Sequence, residues 1–231
     1  MLSIAVAAAA VAQDPSTAPD VTATVSPSKA GTKKKPKNVA LKLFVKNNKT
    51  DATVDTITVN LGKQLKLNGK GFKYCTANTL NSQGKAACPS GSKAGRGTAH
   101  AVVGPGHVPV SFTVDAYVGS KNTIIFYTQQ TAPGTIRKGL VGKVSKAGGK
   151  YGSKIVIKID DDLQQPAPSV FSGLVDLQTT IKARKGKHYL VSSTGCRSKH
   201  HNVGVKFSFH PNATFPATGS ISGNTTAKCK G

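Results

Sequence analysis

From residue 38 onward, apolar side chains recur at every second position over short runs, and clusters of Gly, Pro, Asn and Ser separate these runs. Alternation with period two puts the apolar side chains of a strand on one face, so it predicts half-buried β-strands. The series predicts an all-β, antiparallel β-sandwich or distorted barrel of about a dozen strands. The predicted strands cover residues 41–45, 54–61, 65–67, 72–75, 99–103, 108–118, 123–128, 136–144, 155–159, 174–183, 188–193, 203–209 and 220–228.

The composition also favours strands over helices. All nine acidic residues are Asp, and the chain lacks Glu, which helix surfaces use freely. The most helix-like interval is residues 168–177. Aromatic residues make up 6% of the chain and Trp is absent, so Val, Ile, Leu and Ala must build the core. No stretch of linker character follows residue 38, and residues 38–231 are therefore predicted to form a single β-sandwich domain.

The N-terminal segment predicts export. Residues 1–12 are an apolar run ending in Ala-Val-Ala, which is typical of a signal peptide, although no basic residue precedes the run. Residues 13–37 are rich in Pro, Ser, Thr, Ala and Lys and predict a disordered tether, because they cannot bury enough apolar surface to offset their ordering entropy. No apolar run approaches about 18 residues, so no transmembrane helix is expected. We expect a secreted or cell-surface protein.

The chain contains four cysteines, Cys75, Cys88, Cys196 and Cys229. In an exported protein they most simply form two disulfides, for which three connectivities exist. The local pairings are favoured, with Cys75 bonded to Cys88 and Cys196 bonded to Cys229. Zinc is disfavoured because the chain has neither a C-x-x-C spacing nor an H-x-x-x-H pair.

Two clusters carry groups that are capable of chemistry. His200 and His201 would support an extracellular hydrolase if a cleft brought them together with a Ser or with Asp160 or Asp176. Three consecutive aspartates, residues 160–162, could hold calcium, although they lie in a strongly positive chain. Solvated loop histidines and a plain acidic turn are the simpler interpretations. We therefore expect no catalytic residue, cofactor or metal site, and a non-enzymatic protein.

The charge is the strongest functional signal in the sequence. The chain has 32 Lys and Arg, only four of them Arg, against nine acidic residues, which gives a formal net charge of +23. Such an excess attracts polyanions in a salt-dependent way, whereas sequence-specific nucleic-acid readers usually need Arg forks and aromatic platforms. The densest basic run, Lys33, Lys34, Lys35 and Lys37, predicts weak binding to an anionic cell-envelope polymer or another extracellular polyanion. A carbohydrate-binding module is a weaker alternative because Trp is absent.

Several short motifs occur in a characteristic order: FKYC at 72–75, CPSGSKAGRGTA at 88–99, TGC at 194–196, FSF at 207–209 and a last strand that ends at Cys229. In this order they resemble an uncharacterised group of secreted all-β proteins of actinobacteria. The resemblance covers nearly all of residues 38–231. It implies a leader, an all-β fold and two disulfides, and it carries no functional residue because the group has no assigned activity. The high Lys content and the lack of basic residues before the leader depart from the group.

Overall fold

A computed structural model describes residues 17–130 and 134–231. The strands are β1 (Asp20–Ser26), β2 (Lys37–Asn38), β3 (Ala40–Lys46), β4 (Thr53–Gly62), β5 (Leu65–Leu67), β6 (Lys93–Val103), β7 (Val108–Ser120), β8 (Thr123–Gln130), β9 (Ile136–Lys146), β10 (Tyr151–Lys158), β11 (Ser172–Ile181), β12 (Arg184–Lys185), β13 (His188–Tyr189), β14 (Val191–Ser193), β15 (His200–His210) and β16 (Ser220–Lys228). Two short helices are α1 (Ala77–Gln83) and α2 (Asp161–Gln164), and a 3-10 turn covers Lys85–Ala87. None of the helices in these residues is long and apolar enough to cross a membrane.

Eleven strands form one antiparallel sheet in the order β1-β3-β11-β6-β7-β8-β9-β10-β4-β15-β16. The two edge strands approach each other, since a side chain at Gly223 of β16 would collide with the carbonyl oxygen of Pro19 just before β1. Beyond the strands, the Lys230 amide donates to the Ser28 carbonyl at 2.8 Å. The sheet is therefore a nearly closed barrel, which confirms the predicted all-β antiparallel class and selects the barrel over two packed sheets.

The core lies inside the barrel and follows the alternation seen in the sequence. In β3, for example, Leu41, Leu43 and Val45 are buried and face inward, while Lys42 and Lys46 on the other face are exposed. The inward-facing apolar residues of the strands join one continuous cluster that contains Phe but no Trp. The periodicity of the sequence thus decides which side chains are removed from water.

Helix α1 and the Cys75–Cys88 disulfide lie against the outer wall of the barrel. Leu80 of α1 packs with Tyr117, Ile125 and Tyr127, which belong to β7 and β8 and point outward. Burial is the main cause that raises the pKa of Tyr117, and the nearby charge of Asp115 adds to it. The helix is short because Thr76 caps its N-terminus and Gly84, with a φ of 74°, ends it.

Two sequence predictions are wrong. Within the predicted tether, residues 20–26 form strand β1, because Ala23 and Val25 alternate with polar residues and are buried against β3. Residues 72–75, predicted as a strand, have no strand partner. The strand predicted at residues 174–183 is confirmed as β11, which pairs with β3 and β6 and begins within the helix-like interval 168–177. The predicted signal peptide, residues 1–12, lies outside the described residues.

Candidate polyanion-binding surface

The antiparallel topology sends the connections between strands alternately to the two ends of the barrel. The connections β1–β3, β4–β6, β7–β8, β9–β10 and β11–β15 and the C-terminus leave from one end, which we call the basic end. These segments carry no Asp, and their Lys and Arg residues are Lys29, Lys33, Lys34, Lys35, Lys37, Lys63, Lys66, Lys70, Lys73, Lys85, Lys121, Lys150, Lys182, Arg184, Lys185, Lys187, Arg197, Lys199 and Lys230.

The opposite end carries the other sign of charge. The connection β10–β11 contains helix α2, and we call this end the α2 end. Its connections contain Asp51, Asp160, Asp161 and Asp162 but only one basic residue, Lys49. The strongly positive chain therefore separates its charges along the barrel axis, and the excess collects at the basic end.

Backbone hydrogen bonds hold the basic end together. The connections that leave there pair with one another in a small sheet of the order β2-β14-β5. The Gly69 amide donates to the Lys121 carbonyl at 3.0 Å, and the Thr194 amide donates to the Gln64 carbonyl at 2.8 Å. The Cys196–Cys229 disulfide then ties the β11–β15 connection to the C-terminus. The basic side chains of this end thus start from a fixed backbone.

The predicted polyanion site lies on the basic end as an ordered turn. Lys33, Lys34 and Lys35 are exposed, and Lys37 is half-buried in β2. The Thr32 amide donates to the Lys35 carbonyl at 2.9 Å, which closes the turn. Within the described residues, one of the basic residues of this end forms a salt bridge: Lys85, whose ammonium lies 3.8 Å from Asp115 of β7. The other salt bridges involve Lys49, Lys93, His100 and Lys138. The remaining positive charges of this end are therefore not paired with carboxylates of the described residues.

The structure does not bring together the residues of the alternative histidine site. His200 and His201 begin β15 at the basic end, whereas Asp160 lies at the α2 end. His201 is 1% exposed, and its Nε2 lies 3.3 Å from the Ser193 hydroxyl. Its Nδ1 has no hydrogen-bond partner among the described residues. Burial, together with the neighbouring His200, lowers the pKa of His201 and favours the neutral ring. A buried Ser–His pair without a carboxylate on Nδ1 lacks the access and the orienting group of a hydrolase.

The aspartates are engaged in local contacts. Asp176 pairs with His100, whose Nδ1 lies 2.7 Å from Asp176 Oδ1, and not with His200 or His201. Asp160 caps α2 by accepting from the Asp162 amide. The Lys138 ammonium of β9 lies 2.9 Å from Asp160 and 2.6 Å from Asp162. Hydrogen bonds to Asp162 and Asp160 raise the pKa of Lys138. Among the described residues, no group of three potential ligands gathers as at a metal site.

Both disulfides form with the predicted pairing, Cys75–Cys88 and Cys196–Cys229. Two disulfides without a free cysteine indicate that the protein matures in an oxidising environment. Fold and surface together define a class, a basic β-barrel with two disulfides. No protein-family model, curated protein or solved structure matches the chain.

The basic run at residues 33–37 is visible in the sequence, but the larger basic end to which it belongs is not. The residues that sequence analysis missed, such as Lys63, Lys121 and Lys187, are scattered along the chain. Their only shared signal is that each lies in a connection between strands. The pairing of distant strands determines which connections leave from the same end. The pattern of charges along the sequence does not show this pairing.

Proposed function

We propose that this protein is a secreted, non-enzymatic binding protein whose basic end associates with anionic polymers of the cell envelope or the extracellular space. The observation that carries this proposal is the separation of charge: every connection at one end of the barrel is free of Asp and rich in Lys. A charge excess needed only for solubility has no reason to collect at one end.

The chemistry of lysine favours loose binding to many anionic groups. Lysine presents a compact, strongly hydrated point charge, whereas the Arg fork recognises phosphate or carboxylate with fixed geometry. The basic end contains two Arg, Arg184 and Arg197, among many Lys. Arg184 lies over the Tyr189 ring, with its Cζ 5.8 Å from the ring centroid. This surface therefore favours binding that depends on the charge density of the polymer.

Export is the second part of the proposal. The apolar run at residues 1–12 and the resemblance to secreted actinobacterial proteins support it. The two disulfides add support, because such bonds persist in oxidising compartments and are rare in the cytosol. An extracellular location would also bring the basic end into contact with anionic wall polymers.

The proposal is tested with two variants of equal net charge. The first replaces Lys33, Lys34, Lys35 and Lys37 of the basic end by Gln. The matched control replaces Lys42, Lys46, Lys158 and Lys206 by Gln, four exposed lysines on the outer wall of the barrel. Both variants lose the same formal charge, so any difference between them reports position.

Retention on immobilised heparin and on purified cell wall is measured against salt concentration. We expect the wild-type protein to elute earlier as salt rises, the basic-end variant to elute at clearly lower salt than the wild type, and the control to elute close to the wild type. Equal shifts for the two variants would mean that net charge, and not the basic end, governs binding. Retention that does not change at high ionic strength would contradict the electrostatic account.

A further inference from the structure

The barrel encloses a cavity of about 110 Å³ in the half nearer to the α2 end. An eight-stranded barrel is just wide enough for its side chains to fill the interior, and the diameter grows with the number of strands. Here eleven strands surround a core that has no Trp and few aromatic residues. On β6, the inward positions 99 and 101 are both Ala. A wide barrel with small inward side chains leaves unfilled space, and the cavity lies where this combination occurs.

The cavity wall is almost entirely apolar. Side chains from eight strands and from α2 contribute to it, and Ala99, Ala101, Val114 and Phe126 form the side made by β6, β7 and β8. Natural ligand sites have the same pattern, in which apolar walls surround a few polar groups that fix the orientation of the ligand. Engineered apolar cavities of roughly 150 Å³ bind benzene. A molecule of about one aromatic ring therefore matches the size of this cavity.

One polar group in the wall lacks a partner. Thr179 lines the cavity, is 5% exposed, and its hydroxyl oxygen has no hydrogen-bond partner among the described residues. A buried hydroxyl without a partner costs about 1–3 kcal/mol, and Val in its place would have the same shape without that cost. In the sheet, Thr179 lies between Leu43 and Gly97, in the middle of the β3–β11–β6 wall. The hydroxyl is thus placed to bond a group that enters the cavity.

The cavity is approached from the α2 end. The lining side chains near that end, such as Phe112, Ile159 and Leu163, are partly exposed, whereas Leu41 and Ile181, nearer to the basic end, are buried. Leu163 belongs to α2, which Lys138 holds through its ion pairs with Asp160 and Asp162. At the basic end, Leu65 and Val191 are fully buried, so these side chains fill that end of the barrel among the described residues.

We propose that the barrel interior binds small apolar molecules that carry one hydrogen-bonding group, such as single-ring phenols. The ring packs against Ala99, Ala101 and Phe126, the polar group bonds the Thr179 hydroxyl, and the molecule enters past Leu163. This site is separate from the basic end and does not depend on polyanion binding.

Phenol and benzene are the probes, and binding to the full chain is followed by NMR shifts of the alanine methyl groups and by calorimetry. Phenol should shift Ala99 and Ala101 but not exposed positions. In Thr179→Val the affinity for phenol should fall about tenfold while the affinity for benzene stays equal or rises, because only the hydrogen bond is lost. Thr98→Val is the matched control: Thr98 is exposed on the outer face of neighbouring β6, and its replacement should change neither affinity.

Ala101→Leu fills the cavity and should abolish the binding of both probes. If this variant does not fold, the ratio of phenol to benzene affinity in Thr179→Val still decides the question. An unchanged ratio would overturn the role of Thr179. Absence of methyl shifts with either probe at millimolar concentration would overturn the ligand site itself.

Discussion

The two ends of the barrel are closed by different forces. At the basic end, a three-stranded sheet, backbone hydrogen bonds and the Cys196–Cys229 disulfide join connections that carry only positive charge. At the α2 end, a four-residue helix is held by the ion pairs of Lys138 with Asp160 and Asp162, above a cavity. Backbone hydrogen bonds also join connections at the α2 end, where the Gly104 amide donates to the Phe171 carbonyl at 2.8 Å. The ends therefore differ in charge and in the disulfide that cross-links the basic end.

This difference shows how one fold can separate two kinds of surface. Repulsion among the lysines of the basic end opposes folding, so covalent and backbone bonds are needed to hold that end together. Exposed ion pairs contribute little to stability and open easily, which suits an end where we propose that small molecules enter.

Removal of the Cys196–Cys229 disulfide should have the largest effect. The bond closes a loop with a sequence separation of 33 residues, and replacing both cysteines by Ser should lower the free energy of unfolding by about 4 kcal/mol. Urea denaturation measures this value. Replacing Cys75 and Cys88, which lie 13 residues apart, is the control, with a smaller expected loss of about 3 kcal/mol. A loss below that of the control would contradict the special role of the bond at the basic end.

Truncation of a side chain should also cost more stability at the basic end than at the α2 end. Leu65 is fully buried in the small sheet of the basic end, and Leu65→Ala should cost about 3 kcal/mol because it leaves a cavity in a filled region. Leu163 of α2 is partly exposed and borders existing space, so Leu163→Ala should cost only about 1 kcal/mol. Equal losses in urea denaturation would show that the α2 end is packed as tightly as the basic end.

Acid should weaken the basic end through His201. Burial lowers the folded-state pKa of His201 below the ordinary value of 6.5, so the unfolded chain takes up the proton first. The neutral ring therefore contributes fully to the free energy of unfolding above pH 6.5, and this contribution is lost as the pH falls toward the folded-state pKa. His201→Gln, which keeps a partner for Ser193, should remove this part of the pH dependence. Urea midpoints of the wild type and the variant, measured between pH 7 and 4, test the prediction. If the two midpoints fall equally with pH, the prediction is contradicted.

Alkali should weaken the α2 end through Lys138, and this effect should be the smallest. The pKa of Lys138 is raised above 10.5 by its Asp partners, so its contribution is complete below that pH and is lost as the pH rises through the folded-state pKa. Lys138→Gln should lower stability at pH 7 by less than about 1 kcal/mol. The difference from the wild type should vanish in strong alkali and shrink in high salt. A difference that persists under both conditions would show that the contacts of Lys138 are not electrostatic.

Most of the fold could be predicted from the sequence, because alternation and turn residues are local signals. The strands that contain Leu41, Val114 and Ile157 follow directly from them. The composition of residues 13–37 hid strand β1, since Ala23 and Val25 are small and the surrounding residues are polar. Closure of the barrel and the grouping of lysines at one end depend on which distant strands pair, and no local pattern carries that information.

The candidate sites were harder to predict than the fold. The four lysines at residues 33–37 stood out as a run, but their contribution to a larger surface becomes visible only with the strand order. Nothing in the sequence marks Thr179 as a ligand-binding residue, because Thr is common in strands. Its neighbours across the sheet, Leu43 and Gly97, are known only once the strand pairing is known. Whether His200 or His201 lies near Asp160 could not be read from the sequence for the same reason, because their distance depends on which strands pair.

The two ends are proposed to bind different chemistry, and an NMR titration of the labelled wild-type protein with one ligand of each class distinguishes them. A heparin hexasaccharide should shift the backbone amides of residues 28–38, 63–73 and 182–199, and phenol should shift those around Ala99, Ala101 and Thr179, with little overlap between the two sets. Heparin shifts spread evenly over both ends and the outer wall would contradict the claim.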